Sequence, residues 1–222
     1  MKQLLLSLTV LLLTLSASAE RTVRLLYYQA PQDAPREAFL YGSSGQHADV
    51  RFPRWNLSDK VTLPDSGEEF ILLPEPLAKD VPPPANAPRI HIPLTWKLTV
   101  LLILPDANNP ILPVRVQTIN ASASVFGPGE LYWVNLTDMA VGGLIGESKL
   151  LMKPRSTQIM KAPKQENGDY PVLIDCATPG ENKRRWLVRQ TWRHNANARQ
   201  LVFVQPLDAP RIASLYSVTF YD

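Results

Sequence analysis

Short runs of apolar and polar residues with a period of two recur along this 222-residue chain. That period suits a strand with one buried face, because successive side chains point to opposite sides of a sheet. In the first part of the chain it predicts strands over Val23–Tyr28, Phe39–Tyr41, Ala48–Phe52, Lys60–Leu63, Glu69–Leu73, Arg89–Ile92 and Lys97–Leu104. In the second it predicts Val114–Ile119, Glu130–Asn135, Gly142–Ile145, Lys149–Met152, Thr157–Met160, Tyr170–Asp175, Arg184–Trp192, Gln200–Val204 and Ala213–Tyr221. Gly, Pro, Asn and Asp bound these runs, and no stretch keeps a 3.6-residue apolar period over a helix length, so an all-β chain is expected. Leu98–Leu104 is apolar at both parities, which places it in the centre of a sandwich or beneath a neighbouring domain.

Composition narrows the picture. With 45% hydrophobic and 19% charged residues the chain can bury a core, and its 21 prolines suit short strands and turns. Met1–Ala19 reads as a secretory signal: Lys2 gives the positive end, Leu4–Leu15 the apolar stretch and Ala17-Ser18-Ala19 the cleavage site. Export to the periplasm or the outside is therefore expected, with a mature chain from Glu20 and no transmembrane span in it. No Cys stands at the cleavage point to take a lipid. Cys176 is the sole thiol, which excludes an intramolecular disulfide. Alternation puts Val172, Ile174 and Cys176 on one face, the reading of a buried, inert core thiol. A net charge of +3 names no partner by itself.

The chain reads as written twice. Thr22–Tyr41 overlays Pro113–Tyr132 without a gap, pairing Val23-Arg24-Leu25 with Val114-Arg115-Val116, Ala30 with Ala121 and Leu40-Tyr41 with Leu131-Tyr132. Trp55–Asp59 is similar to Val134–Asp138, and each half closes on an apolar run leading to Pro, Leu98–Pro105 and Leu201–Pro206. An internal duplication of two tandem immunoglobulin-like β-sandwich halves follows, residues 20–108 and 109–222, with the boundary in the linker-like Pro105–Pro113. The Pro82-Pro83-Pro84 stretch is read as a loop within the first half.

The openings Val23-Arg24…Ala30-Pro31 and Val114-Arg115…Ala121-Ser122, each followed by a Leu-Tyr strand, resemble exported bacterial β-sandwich repeat domains of unknown function. The stretch through Asn135-Leu136-Thr137, Lys149–Pro154 and Trp192–Pro206 is similar to small exported proteins of envelope-rich bacteria. These resemblances imply a fold and export, and bring no catalytic residues. Two halves and a leader also resemble periplasmic pilus-assembly chaperones, whose acidic strand signature Leu63–Phe70 loosely matches. That resemblance implies capture of a client by strand addition; the Arg and Lys pair by which the family grips a client carboxylate is not assigned to particular residues of this sequence.

Catalytic constellations are absent from the sequence. His47, His91 and His194 lie far apart and Cys176 has no partner motif, so no catalytic residue, metal or cofactor is expected. His91 is read as exposed on a polar strand face. Gly42-Ser43-Ser44-Gly45 reads as a hairpin loop, Asp65–Glu68 and Asp106–Asn109 as turns, and the sequons Asn56-Leu-Ser58, Asn120-Ala-Ser122 and Asn135-Leu-Thr137 also as turns. The segment Lys183–His194 stands out, since strand alternation sends Arg185, Leu187, Arg189, Thr191 and Arg193 to one face. The other face takes Arg184, Trp186, Val188, Gln190, Trp192 and His194. Such an arginine ladder (Arg185, Arg189, Arg193, extended by Arg199) can meet successive anionic groups of a polymer, or be a solvated face whose Arg stems cover apolar neighbours. The function expected is thus non-enzymatic binding or scaffolding of an envelope polymer or another envelope protein. An assembly chaperone is the alternative and a hydrolase with dispersed carboxylates the third class; nucleic acid ranks below envelope polymers because export is expected and the charge is small.

Overall fold

The computed structural model describes residues 20–78, 80–161, 163, 166–177, 184–208 and 212–221. The expected leader, Met1–Ala19, and Lys183 lie outside them. The described residues contain strands and no helix. The first eight strands are β1 (Thr22–Tyr27), β2 (Glu37–Gly42), β3 (His47–Arg51), β4 (Val61–Thr62), β5 (Glu69–Leu73), β6 (Arg89–His91), β7 (Leu98–Pro105) and β8 (Val114–Asn120). The next eight are β9 (Leu131–Asn135), β10 (Ala140–Ile145), β11 (Ser148–Met152), β12 (Thr157–Met160), β13 (Gly168–Ala177), β14 (Arg184–His194), β15 (Arg199–Pro206) and β16 (Ala213–Phe220).

Four four-stranded sheets result, ordered β4-β1-β7-β8, β3-β2-β5-β6, β12-β9-β15-β16 and β11-β10-β13-β14. The last two orders repeat the first two strand for strand, so the chain is two tandem β-sandwich halves of one topology. In each half the first strand pairs in parallel with the seventh, β1 with β7 and β9 with β15. This order differs from the seven-stranded ABED/CFG arrangement of immunoglobulin constant-type domains.

The register of the repeat differs from the gapless overlay, which matches β1 to β8. By strand pairing the counterpart of β1 is β9: the Tyr28 amide donates to Ile103 O at 2.9 Å, and the Leu136 amide to Val204 O at 2.8 Å. Val114-Arg115 thus belongs to the strand that closes the first half, and the match of Leu98–Pro105 with Leu201–Pro206 is the part that holds. A boundary at 108/109 also falls inside a sheet. Residues 106–113 are the turn of the β7–β8 hairpin, in which Pro105 pairs with Val114 and the Asp106 amide bonds Pro113 O at 3.0 Å. The chain changes halves between β8 and β9, through residues 121–130.

Three apolar layers separate the four sheets. Val23, Leu25 and Tyr27 of β1 meet Leu40, Val50 and Phe70 inside the first sandwich. Trp133, Val141, Val172, Ile174 and Val202 fill the second. Between them lies a third core, in which Leu26, Val100 and Leu102 pack on Val134, Leu201, Phe203 and Phe220. The apolar parity of β7 thereby has its explanation: Leu101 and Ile103 face one core, Val100 and Leu102 the next, and all four are 0% exposed. The Pro-rich segment between β5 and β6 lies over the outer face of the first half, where Leu77 and Ala87 pack with Tyr41 and Leu73 and the Leu77 amide donates to the Tyr41 hydroxyl at 2.9 Å. No helix among the described residues is long and apolar enough to cross a membrane.

Candidate functional site

Among the described strands β14 ends its sheet, pairing with β13 alone. From Gly168↔His194 to Ile174↔Val188 the register is regular, and then Asp175 pairs with Trp186, leaving Leu187 as an extra residue. A bulge of this kind reverses the facing of everything beyond it. Its cause is local: Trp186-Leu187-Val188 are three consecutive apolar residues, and the bulge lets both Leu187 and Val188 pack against the second-half core.

The predicted ladder is therefore split. Arg189 and Arg193 share the outer face, opposite Leu173 and Asp169, while Arg185 pairs with Cys176, whose side chain is in the core. Arg184 and Trp186, expected on the inner face, turn outward instead. Trp186 is 54% exposed, and the Arg189 guanidinium lies 4.6 Å from its ring centroid. Only one of the two indoles reaches the core: Trp192 stacks parallel to Trp133 at 6.1 Å.

Arg199 leaves the set altogether. It is 1% exposed, its Nη1 donates to Phe126 O at 3.0 Å and to Ala121 O, and its guanidinium lies 4.7 Å from the Phe220 ring centroid. Burial, and then the nearby charge of Arg24, lower its pKa from the ordinary arginine value. Arg199 thus anchors the crossover segment between the halves, out of reach of an external polymer.

Two cross-sheet rows continue the outer face. Trp186 is followed by Asp175, Gly142 and Leu151, and Arg189 by Leu173, Leu144 and Lys149. Leu151 is 75% exposed and Leu144 37%. Arg184 lies across the sheet, its Nε 2.6 Å from Asp175 Oδ1, a bond that raises its pKa. A Cβ on Gly142 would sit 2.8 Å from Arg184 Nη2, so glycine leaves room for this pair. Arg189 and Arg193 have no ion-pair partner among the described residues. The result is a sheet face on which Leu144, Leu151 and Leu173 share the surface with Asp175 and Lys149, bordered along its edge strand by Trp186, Arg189 and Arg193.

The other sequence-predicted residues sit as follows. Cys176 is buried, its Sγ 3.7 Å from Arg185 O, and burial followed by the Asp175 charge pushes the thiol pKa up. His91 is exposed and bonds Glu69 Oε1 through Nδ1 at 2.7 Å. Residues 42–45 form a hairpin loop whose Ser44 amide donates to Asp65 Oδ2 at 2.9 Å. Asn120 and Asn135 each accept from the amide two residues on, at 3.0 Å, so those two sequons are turns. No group of three or more metal-ligating side chains occurs among the described residues.

Sequence reasoning missed a second basic surface, a cavity of about 750 Å³ in the first half lined by Arg36, Arg51, Arg54 and the exposed Trp55. Its signal is the interleaved run Arg51-Phe-Pro-Arg-Trp55. Asp49 and Asp59 also line the cavity; Asp49 lies 3.7 Å from His47 Nε2 and the Asp59 charge acts on Arg24. Comparison of the chain with protein-family models and with curated proteins gives no match.

Proposed function

We propose that the protein is exported and acts without catalysis, binding or scaffolding an anionic envelope polymer on the outer face of the β11-β10-β13-β14 sheet. The observation that carries this reading is Trp186, held half out of the surface with Arg189 stacked on it and Arg193 on the same face. An indole offers an apolar plane for a sugar ring, and guanidinium groups offer forked donors for carboxylate, sulfate or phosphate. Four residues of strand set the two arginines about 13 Å apart, a spacing for separate charges on a polymer rather than one small anion. The leader-like Met1–Ala19 and the resemblance to exported β-sandwich repeat proteins support export.

The test is retention of the protein on immobilised anionic envelope polymer over a salt series. Arg189→Gln with Arg193→Gln should lower the salt slope by about 2 and Trp186→Ala should weaken retention at every salt. Arg185→Gln should change retention far less than the Arg189/Arg193 pair. Retention that is unchanged in the double variant would return β14 to a solvated face.

One observation favours a second reading. β14 is an 11-residue strand at the end of its sheet, a template for strand addition to a client, as in an assembly chaperone. Salt-resistant capture of one envelope subunit at fixed stoichiometry would select that reading.

A further inference from the structure

The cavity of the first half is built from backbone outward. It lies where β3 and β4, edge strands of the two sheets, approach each other, and residues 52–60 close its side. That loop is fastened at both ends. The Phe52 amide donates to Arg36 O at 2.8 Å, the Tyr27 amide to Pro53 O at 2.8 Å and the Ser58 amide to Leu25 O at 2.9 Å. The Ser58 hydroxyl accepts from the Leu25 amide at 3.0 Å and Arg24 Nε donates to Ser58 O at 2.7 Å. Trp55 is consequently 74% exposed on a fixed loop, its carbonyl bonded by the Tyr216 hydroxyl and its ring edge-on to Tyr216 at 6.5 Å.

The charges on the walls are mixed. Arg54 Nη2 donates to Gln32 O at 3.1 Å, whereas Arg36 and Arg51 show no side-chain hydrogen bond or ion pair among the described residues. Asp49 and Asp59 lie on the same walls. A bare phosphate or a dense polyanion would meet these carboxylates as repulsion. A glycan with only one carboxylate but several hydroxyls on each sugar ring would not, since the arginines take a carboxylate and the aspartates accept from the hydroxyls.

We infer that this cavity binds an acidic sugar unit of a glycan: Arg36 and Arg51 grip its carboxylate, Trp55 stacks on the apolar face of its ring, and Asp49 and Asp59 accept from its hydroxyls. A volume of about 750 Å³ has room for more than one sugar ring. The site shares no residue with the β14 face, so either assignment can fail alone.

Isothermal titration of the full-chain protein with trigalacturonate, with the same trisaccharide reduced to its neutral form and with inorganic phosphate tests this. Trigalacturonate should bind, and the neutral trisaccharide should bind at least tenfold more weakly. Arg36→Gln with Arg51→Gln, and separately Trp55→Ala, should each cost tenfold or more without moving the thermal midpoint. Arg51→Lys keeps the charge but loses the fork, and should fall between. Arg189→Gln with Arg193→Gln should bind the trisaccharide as the parent does. The inference is overturned if trigalacturonate does not bind, if phosphate binds as tightly, or if the Arg36/Arg51 variant folds and binds unchanged.

Discussion

Replacing Arg199 by methionine separates a structural arginine from a ligand-binding one. Methionine retains much of the apolar stem but removes two charge-assisted hydrogen bonds to Phe126 O and Ala121 O and the contact with the Phe220 ring. Those bonds are worth about 1.5–3 kcal/mol each and the ring contact about 1–2 kcal/mol. Relief from burying a guanidinium returns several kcal/mol of that sum. The net loss expected is about 3 kcal/mol, because the two carbonyls are left without their donor inside the crossover segment. For a chain of this size that lowers the thermal midpoint by about 6–12 °C. Urea unfolding should show the midpoint fall at constant slope, and Arg199→Lys, a point charge without the fork, should lose less. Polymer retention at a temperature where the variant is folded should equal that of the parent. A stability change under about 1 kcal/mol, or a loss of retention in the folded variant, would refute the anchoring role.

Three further outcomes are expected. Asn135 is 1% exposed and donates to Met139 O at 2.8 Å and Lys153 O at 2.9 Å while accepting from Thr137, so Asn135→Ala should cost about 3 kcal/mol in urea unfolding and Asn135→Asp, which turns donors into acceptors, still more. Burial alone would raise the Asp65 carboxyl, but the Ser44 and Gly67 amides and the Ser43 and Ser44 hydroxyls hold its pKa below the ordinary 3.8. A depressed folded pKa gives stability that is present above 3.8 and lost as pH falls through the folded value, so in acid titrations Asp65→Asn should flatten the fall in stability below about pH 4. Cys176, 0% exposed with a raised pKa, should react with a disulfide reagent only after denaturation, and stoichiometric labelling of the folded protein within minutes would contradict that burial.

Strand content was legible because a period of two survives wherever one face is buried, and β7 declared its position between two cores by being apolar at both parities. The topological repeat was legible as an idea but not in register, since Val23-Arg24 and Val114-Arg115 look alike for a reason unrelated to their place: Val23 and Val114 both turn into the first-half core, and each is followed by an arginine of the other parity. The arginine ladder failed at Leu187, because alternation is a rule for unbroken strands and one extra residue inverts it. The apolar run Trp186-Leu187-Val188 was the visible sign. Arg199 shares the parity of Leu201 and Phe203, which face the central core, so its direction was readable while the sheet covering it was not. The Trp55 cavity depends on two strand edges meeting across a sandwich, a relation that no local pattern encodes.

The parallel pairing at the heart of each half has a kinetic consequence. Thr22 cannot find Leu98, nor Leu131 find Gln200, until the intervening residues, most of whose strands form the opposite sheet, have been made. Such non-local closure puts folding on the slow side, on the order of milliseconds to seconds, because loop entropy is spent before the contacts form. Until then β7, apolar at both parities, has neither of its covering layers, and the central core waits for β15 as well. Refolding should thus be slow and prone to aggregation at high concentration, with the second half required before the first is fully sheltered from water.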